Sequence, residues 1–431
     1  MFNLIGYIVC GILAIYVILK QTYRSRVRYL GEDMSLPGIW YIFPFYQIAY
    51  MTAFAENNSV CSMTIAMLFV LMGLQMKPFK TFLRGYNIWY LLLIIWYALN
   101  LLRSNSVYYG IMQIMKLMYP VVIFVFAYHS YNTKNRILYL AESFSRSSWL
   151  FLFLSVLSAA IGMRIIYPYF GMEIFIYPFL LFLMFRKKKY IIHMLLCLSF
   201  CLVYIKRTCF LGLFTMAVVY LLYRYRLKAL IPLVSLVVVA ICAVLFIPAV
   251  SERLFYASFD FSYLDISLFT SGEVFQYIDT SGRSGTWAKL IEQLFIGNEV
   301  IGIGPGSLKA WMSSSITNDN FENFQRVHND WLQIMIEGGY VAISLIAMMF
   351  IRLFIKTYRI YRNTRYSDLL RTFALGTAMI SAATIVHMYF ENCMGCVGFC
   401  LPWLFSAILF RAIELENRRL GRNAIEESNI N

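Results

Sequence analysis

Apolar runs that approach the thickness of a lipid bilayer recur along the whole chain and exclude most soluble folds. Hydrophobic residues make up 61% of the sequence and charged residues 14%, whereas a soluble domain is about half apolar and about a quarter charged. The sequence therefore predicts an all-α, polytopic helical membrane protein with about 12–13 transmembrane helices. The candidate spans cover residues 4–19, 39–54, 60–76, 89–102, 111–128, 149–161, 174–185, 190–205, 209–223, 230–250, 340–355, 373–388 and 397–410.

Basic residues between the apolar runs form clusters that share one side of the membrane when the spans alternate. The clusters lie at residues 20–28, 77–84, 134–146, 186–189, 224–228, 356–371 and 411–422. In contrast, residues 251–337 contain 11 acidic and 5 basic residues, although the whole chain has a net charge of +15. We therefore expect the clusters in the cytoplasm and residues 251–337 outside, and the clustering argues against a nucleic-acid-binding face.

These spans divide the chain into four expected parts. Residues 1–250 form an N-terminal transmembrane bundle of about ten helices, and residues 251–337 form one large extracytoplasmic, catalytic loop with short helices. Residues 338–413 form the C-terminal transmembrane helices, and residues 414–431 form a cytoplasmic tail. Basic residues follow the first apolar run and do not precede it, which indicates a retained span and not a cleavable signal peptide.

Five cations break the positive-inside pattern and are functional candidates for that reason. Lys116 lies within a span, and the others fall on the expected outer side. For Arg103 and Arg164 we favour snorkelling at helix ends. Lys206 and Arg207 instead occupy a short turn that faces the same compartment as the large loop.

The segment around Arg283 precedes apolar residues at helical spacing. One face of a helix predicted over residues 286–296 carries Trp287, Leu290, Ile291, Leu294 and Phe295. With Ser284 as the N-cap, Arg283 stands just before the helix N-terminus, where a guanidinium and unpaired backbone N–H groups suit a phosphate. A capped surface helix with a solvated arginine explains the same spacing equally well.

The glycine cluster Gly302-Ile303-Gly304-Pro305-Gly306 has GxGxG spacing and is not a dinucleotide-binding fingerprint, because no strand–helix unit surrounds it. Glycine permits a positive φ and Pro305 fixes a turn, so the cluster predicts a tight loop. Such a loop also allows the backbone to approach a ligand.

The motif His328-Asn329-Asp330 opens a predicted short helix that ends at Gly338-Gly339, directly before the next span. Asn329 or Asp330 is suited to cap this helix, which leaves His328 at its start. A histidine that titrates near neutral pH is suited to accept a hydroxyl proton. A structural histidine bonded to a loop carbonyl is the alternative.

Other titratable residues give weaker signals. His387 and Glu391 lie four residues apart on one expected helix face, and they are candidates for a pair that supports the site. Cys393 and Cys396 have CxxC spacing, but no second pair or nearby histidine pattern accompanies them. We therefore expect no metal site and no cofactor.

Four motifs follow one another in a recognisable order. They are Lys206-Arg207 between two spans, Ser281-Gly282-Arg283, the glycine cluster, and His328-Asn329-Asp330-Trp331-Leu332 with Glu337-Gly338-Gly339. This order and spacing resemble the O-antigen ligase and O-antigen polymerase superfamily of bacterial envelope enzymes. The resemblance is specific over residues 203–340 and looser over the last ten or so spans. At the first motif the superfamily usually has Ser-Arg, where this chain has Lys206-Arg207.

The resemblance implies a metal-independent, inverting glycosyltransferase of the bacterial cytoplasmic (inner) membrane, with its active site on the extracytoplasmic face. Its partners would be an oligosaccharide linked to undecaprenyl diphosphate, membrane lipid and a chain-length regulator. By analogy, Arg207 and Arg283 bind the diphosphate, and His328 orients or deprotonates the acceptor hydroxyl. The residues expected to bind substrate are Lys206, Gly282, Gly302, Gly304, Gly306 and Asn329.

Two kinds of enzyme in this superfamily share the donor. A polymerase passes the glycan to the sugar end of another lipid-linked repeat unit of O-antigen, capsule or exopolysaccharide, whereas a ligase passes it to lipid A–core or another terminal acceptor. We favour the polymerase, because the superfamily's polymerases are diverse and the flanking sequence here is idiosyncratic. The rival class is a lipid-linked-sugar flippase, but transporters usually place polar residues on broken helices at the midplane. A scaffold protein would leave Arg207, Arg283 and His328 without a role.

Overall fold

The computed structural model describes residues 25–36, 79–161, 171–204, 207–246, 283–315, 327–394 and 398–430. Three predicted spans, at residues 4–19, 39–54 and 60–76, lie outside the described residues, as do Arg164, Lys206 and Gly282. Two antiparallel strands, β1 (Ser25–Tyr29) and β2 (Glu32–Leu36), form a hairpin. The helices that follow are α1 (Asn87–Asn100), α2 (Val107–Ser130), α3 (Lys134–Arg146), α4 (Ser148–Ile161), α5 (Gly171–Phe185), α6 (Lys188–Tyr204), α7 (Arg207–Tyr225), α8 (Leu230–Phe246), α9 (Arg283–Leu290), α10 (Ser307–Ser315), α11 (Asp330–Arg362), α12 (Asp368–Phe390) and α13 (Leu401–Ile430).

The structure confirms the all-α, polytopic membrane fold. Wherever the ten remaining predicted spans fall within the described residues, the chain is helical. Four described helices are long and apolar enough to cross a membrane, and the other apolar helices are shorter. The total number of spans stays a prediction, as do the four proposed parts of the chain. The expected tail at residues 414–431 continues α13 as far as Ile430.

Helix α12 occupies the centre of the bundle, where it packs against α5, α7, α11 and α13. Its side chains are buried almost continuously from Leu369 to Thr384. Helices α1 and α2 complete the core by packing against α11 and α13, with the rings of Tyr90 and Trp403 centred 4.5 Å apart. Because interiors packed in this way deform little, the ends of α12 are held at fixed positions.

Helix α8 presents apolar side chains on its exposed surface. Leu230, Ile231, Val234 and Val239 are each more than half exposed. In a soluble protein such a surface would be unusual, whereas in a bilayer it faces acyl chains.

The basic clusters that the structure describes gather at one end of the bundle. Residues 186–189 and 224–228 lie where α5 and α7 end, and residue 84 lies just before α1. Lys356 of α11 contacts the ring of Phe410, next to residue 411. At this end Glu414 accepts hydrogen bonds from Arg84, Tyr128 and Arg411. The grouping matches the pattern from which we predicted the cytoplasmic side.

Two elements at this end were not predicted. The hairpin turn at Leu30 and Gly31 has two positive φ values, as type I′ hairpin turns do. The hairpin contacts α3, because the rings of Tyr29 and Tyr139 meet edge to face and Asn135 donates to Glu32 at 2.6 Å. Residues 134–146, expected only as a basic cluster between spans, form an amphipathic helix with its apolar face buried.

Glu142 of α3 lies at the centre of a buried polar cluster and accepts hydrogen bonds at 2.6 Å from both Lys189 and Tyr190. Arg146 lies 3.5 Å from the same carboxylate. Burial raises the pKa of the Glu142 carboxyl, but these hydrogen bonds and nearby cations outweigh it and hold the pKa below its usual value. A carboxyl with a lowered folded pKa stabilises the fold above its unfolded pKa, and the contribution is lost as the pH falls through the folded value.

We predict that Glu142→Ala lowers stability by about 2 kcal/mol at neutral pH, because it leaves the Tyr190 hydroxyl buried without its acceptor. The measurement is the apparent melting temperature of the purified protein in detergent. Asp368→Asn removes a carboxylate that is 88% exposed and serves as the matched control. Equal melting temperatures for Glu142→Ala and this control would contradict the stabilising role of Glu142.

Candidate active site

His328 directly precedes α11 in a conformation that non-glycine residues seldom adopt. Its φ is +51°, and the next residue, Asn329, caps the helix by accepting the Leu332 N–H at 2.9 Å. The predicted cap is therefore confirmed. Because left-handed backbone costs a non-glycine residue about 1–2 kcal/mol, its presence at a candidate catalytic residue supports a functional reason for this conformation.

Glu391 is the carboxylate that faces His328. Its Oε2 lies 3.5 Å from the imidazole Nδ1, close enough for an ion pair when the ring is protonated and longer than a well-formed hydrogen bond. Glu391 is 7% exposed and follows directly after α12, where its N–H caps the helix by donating to the His387 carbonyl. Sequence analysis identified Glu391 only by its spacing from His387, and the structure gives it a direct contact with His328.

Arg283 is the first residue of α9, and its Nη1 donates to the carbonyl oxygen of Phe390 at 2.7 Å. The last carbonyl groups of a helix lack intrahelical partners and carry partial negative charge, so a guanidinium is favoured there. The helix begins three residues earlier than predicted, which places Ser284 inside its first turn and not at the N-cap. The predicted apolar face is confirmed, since its residues pack onto a cluster with Leu308, Met312, Val327, Leu332 and Ile336.

Arg207 is the first residue of α7, the helix that packs most extensively on α12. Adjacent to it, the carbonyl oxygen of Thr208 accepts a hydrogen bond from His387 Nε2 at 3.1 Å. Gly212, one turn along α7, leaves room for this ring, because a Cβ there would lie 2.8 Å from Nε2. The start of α7 is therefore fixed against the last turn of α12.

Two tryptophans hold the remaining segments in place. Trp331 donates through Nε1 to the Ile385 carbonyl of α12 at 3.0 Å. Trp287 of α9 donates to the Val327 carbonyl at 2.8 Å, immediately before His328, and its ring meets that of Tyr389 edge to face. Segments carrying Arg207, Arg283 and His328 thus all contact residues 385–391.

The glycine cluster is held against a kink in α11. Gly339 has φ +66°, which interrupts the helix and leaves backbone groups of residues 336–341 available to bond outside it. These groups pair with the loop: the N–H groups of Ile303 and Gly304 donate to the carbonyls of Ile336 and Glu337, both at 3.0 Å. The predicted tight loop, and the helix end at Gly338-Gly339, are both present.

Packing explains why this loop contains so many glycines. A Cβ added at Gly302, Gly304 or Gly306 would lie 2.5, 2.7 and 2.3 Å from backbone atoms of residues 337, 104 and 110, respectively. All three residues are buried and have positive φ. The contacts that require glycine are therefore made with the protein's own backbone. Substrate binding by these three glycines stays a prediction.

Side chains around the loop complete its hydrogen bonding. Glu337 is fully buried, accepts the Gly306 N–H at 2.9 Å, and so supports the start of α10. Asn100, at the end of α1, donates to the Ile301 and Glu337 carbonyls at 2.8 and 3.1 Å. Among the described residues, no cluster of three or more histidine, cysteine and acidic side chains is arranged to hold a metal ion.

Residues 192–347 match the protein-family model described as O-antigen ligase. The matched segment begins within α6 and ends within α11, so it contains Arg207, Arg283 and His328, whereas α12 and Glu391 lie outside it. The match confirms the resemblance to the O-antigen ligase and polymerase superfamily, and it supports a ligase- or polymerase-like, glycosyltransferase-like role for this multi-pass membrane protein. No curated protein matches the chain.

We predict that Gly306→Ala lowers stability by at least about 2 kcal/mol, because the new methyl group combines a left-handed backbone with overpacking against Gly110. The apparent melting temperature in detergent should fall by several degrees. Gly285→Ala is the control, since Gly285 lies in α9 and nothing lies within 4 Å of its Cβ position. Unchanged melting of Gly306→Ala would contradict the packing role.

Proposed function

We propose that this protein is a polysaccharide polymerase that transfers a glycan from undecaprenyl diphosphate to the sugar end of another lipid-linked repeat unit. The observation that carries the proposal is the convergence of the segments bearing Arg207, Arg283 and His328 on the end of α12. This convergence supports a site in which the two arginines bind a diphosphate leaving group and His328 serves a hydroxyl acceptor. By the positive-inside rule, this end of the bundle faces the extracytoplasmic side of the membrane. In this proposal, lipid-linked repeat units are assembled into polymer on that side.

The diphosphate would be held by arginine and by helix N-termini. Arg207 and Arg283 each begin a helix, and unpaired backbone N–H groups there favour an anion. Arg283 uses one bond to the Phe390 carbonyl, and a guanidinium has five N–H groups, so it retains donors for phosphate oxygens. Negative charge grows on the diphosphate as the glycosidic C–O bond breaks, and donors positioned in advance stabilise this charge.

His328 would receive the proton of the attacking hydroxyl. The Glu391 carboxylate facing Nδ1 favours the tautomer with its hydrogen on Nδ1, which leaves the Nε2 lone pair to accept a proton. As the acceptor oxygen bonds to the anomeric carbon from the side opposite the diphosphate, its proton passes to Nε2 and the lipid diphosphate departs. The imidazolium that forms is stabilised by Glu391, and a single displacement inverts the anomeric configuration.

Other predicted residues have supporting roles in this proposal. Lys206 and Gly282 neighbour the two arginines in sequence, and we assign them to the diphosphate site. The oxygen of Asn329 is occupied by its helix cap, which supports a role in orienting His328. Membrane lipid surrounds the site, and a chain-length regulator is the proposed protein partner.

A ligase that transfers the glycan to lipid A–core or another terminal acceptor is the second candidate. The description of the matching family favours it, and the donor site would be the same. We favour the polymerase because the superfamily's polymerases are the more diverse group and the flanking sequence of this chain is idiosyncratic. Only the acceptor distinguishes the two reactions.

The test is complementation of polymerase-null and ligase-null strains of the source organism, with glycan length read on a gel. We expect wild type to restore long-chain ladders in the polymerase-null strain. We expect Arg283→Ala and His328→Ala to reduce polymer by at least about 100-fold, because each removes charge stabilisation or general-base catalysis.

Lys309→Ala, which removes an exposed cation of α10, is the matched control and should behave as wild type. Blots must show equal amounts of every variant in the membrane. Restoration only in the ligase-null strain would select the ligase. Full activity of both site variants would reject the site and restore the flippase as the better explanation.

A further inference from the structure

Asp330 is a buried carboxylate beside the candidate catalytic histidine that no step of the proposed reaction uses. It is 1% exposed and stands two residues after His328, as the first residue of α11. Its Oδ2 accepts two consecutive backbone N–H groups, from Cys393 at 2.6 Å and from Met394 at 2.8 Å. A carboxylate this deeply buried costs free energy unless its hydrogen bonds repay its lost hydration.

The two N–H groups belong to the short segment that begins with Glu391. This segment leaves α12 at Phe390 and turns without regular structure, so helical hydrogen bonds do not fix its path. Asp330 supplies bonds that do fix it, because its Oδ2 accepts the N–H groups of two consecutive residues. The carboxylate therefore holds the segment at the second and third residues beyond Glu391.

These contacts join residues 328–330 to residues 391–394 at two points. From His328 the chain runs two residues to Asp330, whose carboxylate binds residues 393 and 394. From there it runs back two residues to Glu391, whose carboxylate lies 3.5 Å from His328 Nδ1. Without the Asp330 hydrogen bonds, the backbone beyond Glu391 is no longer held, and the distance between His328 and Glu391 is less well fixed.

We propose that Asp330 is a positioning residue that holds Glu391 against His328 by binding the backbone of residues 393 and 394. The inference rests on the proposed transferase function and adds a residue that acts through Glu391. Asp330 does not touch substrate. Asp330 affects kcat, because the His328–Glu391 pair that it positions receives the proton. The arginines, and not Asp330, bind the lipid-linked donor.

Two substitutions separate hydrogen bonding from packing. In Asp330→Asn the amide oxygen accepts the same two N–H groups, so we expect kcat to stay within about threefold of wild type. In Asp330→Ala the acceptor is gone, and we expect kcat to fall about 10–100-fold, by analogy with residues that orient metal ligands. KM for the lipid-linked donor should change little in both.

The experiment measures kcat and KM of the purified protein in lipid nanodiscs with undecaprenyl-diphosphate-linked repeat unit as substrate. It compares wild type, Asp330→Asn, Asp330→Ala, Glu391→Ala and the double variant Asp330→Ala with Glu391→Ala. If Asp330 acts through Glu391, then Asp330→Ala costs less than about threefold once Glu391 is already alanine. Asp368→Asn is the control for loss of a carboxylate elsewhere.

Losses that multiply in the double variant would overturn the inference, as would an Asp330→Asn loss equal to that of Asp330→Ala. If Asp330→Ala is not recovered folded, Asp330→Ser, whose short hydroxyl does not reach both N–H groups, takes its place in the same cycle. Failure of the proposed function looks different: wild type then forms no polymer, or His328→Ala matches wild type.

Discussion

Hydrogen bonds to the last turns of α12 are the interactions on which the candidate site depends. Arg283 binds the Phe390 carbonyl, Trp331 binds the Ile385 carbonyl, and His387 binds the start of α7. Because α12 is buried at the centre of the bundle, these contacts transfer the rigidity of the core to segments that are far apart in sequence. A helix C-terminus also concentrates partial negative charge, which favours an arginine there.

The charge distribution at the candidate site depends on which helix termini lie next to one another. The starts of α7, α9 and α11 lie around the end of α12, so three N-termini surround one C-terminus. Arginine begins two of those helices, whereas the acidic residues Asp330 and Glu391 are buried on the histidine side. In the proposed reaction the arginine side would bind the diphosphate and the histidine side would accept the proton, and a glycosyl transfer to a hydroxyl needs both functions.

The sequence predicted the helices well because hydrophobic periodicity and bilayer length are local signals, and its motifs proposed Arg283 and His328 as site residues. It missed the β1–β2 hairpin and misread α3, since both are polar and short. Glu391 was identified only through its spacing from His387, because its approach to His328 joins residues 63 positions apart. The glycine cluster suggested a ligand, yet the close backbone contacts at residues 104, 110 and 337 are visible only in three dimensions.

The most direct test of the proposed site is a cryo-electron-microscopy structure of the protein in a lipid nanodisc with undecaprenyl diphosphate bound. We expect the diphosphate against the Arg283 guanidinium at the end of α12, with the His328 imidazole on the side of the site away from the lipid. We also expect Arg283 to keep its bond to the Phe390 carbonyl. A diphosphate bound elsewhere in the bundle, or an Arg283 remote from α12, would contradict the proposed site.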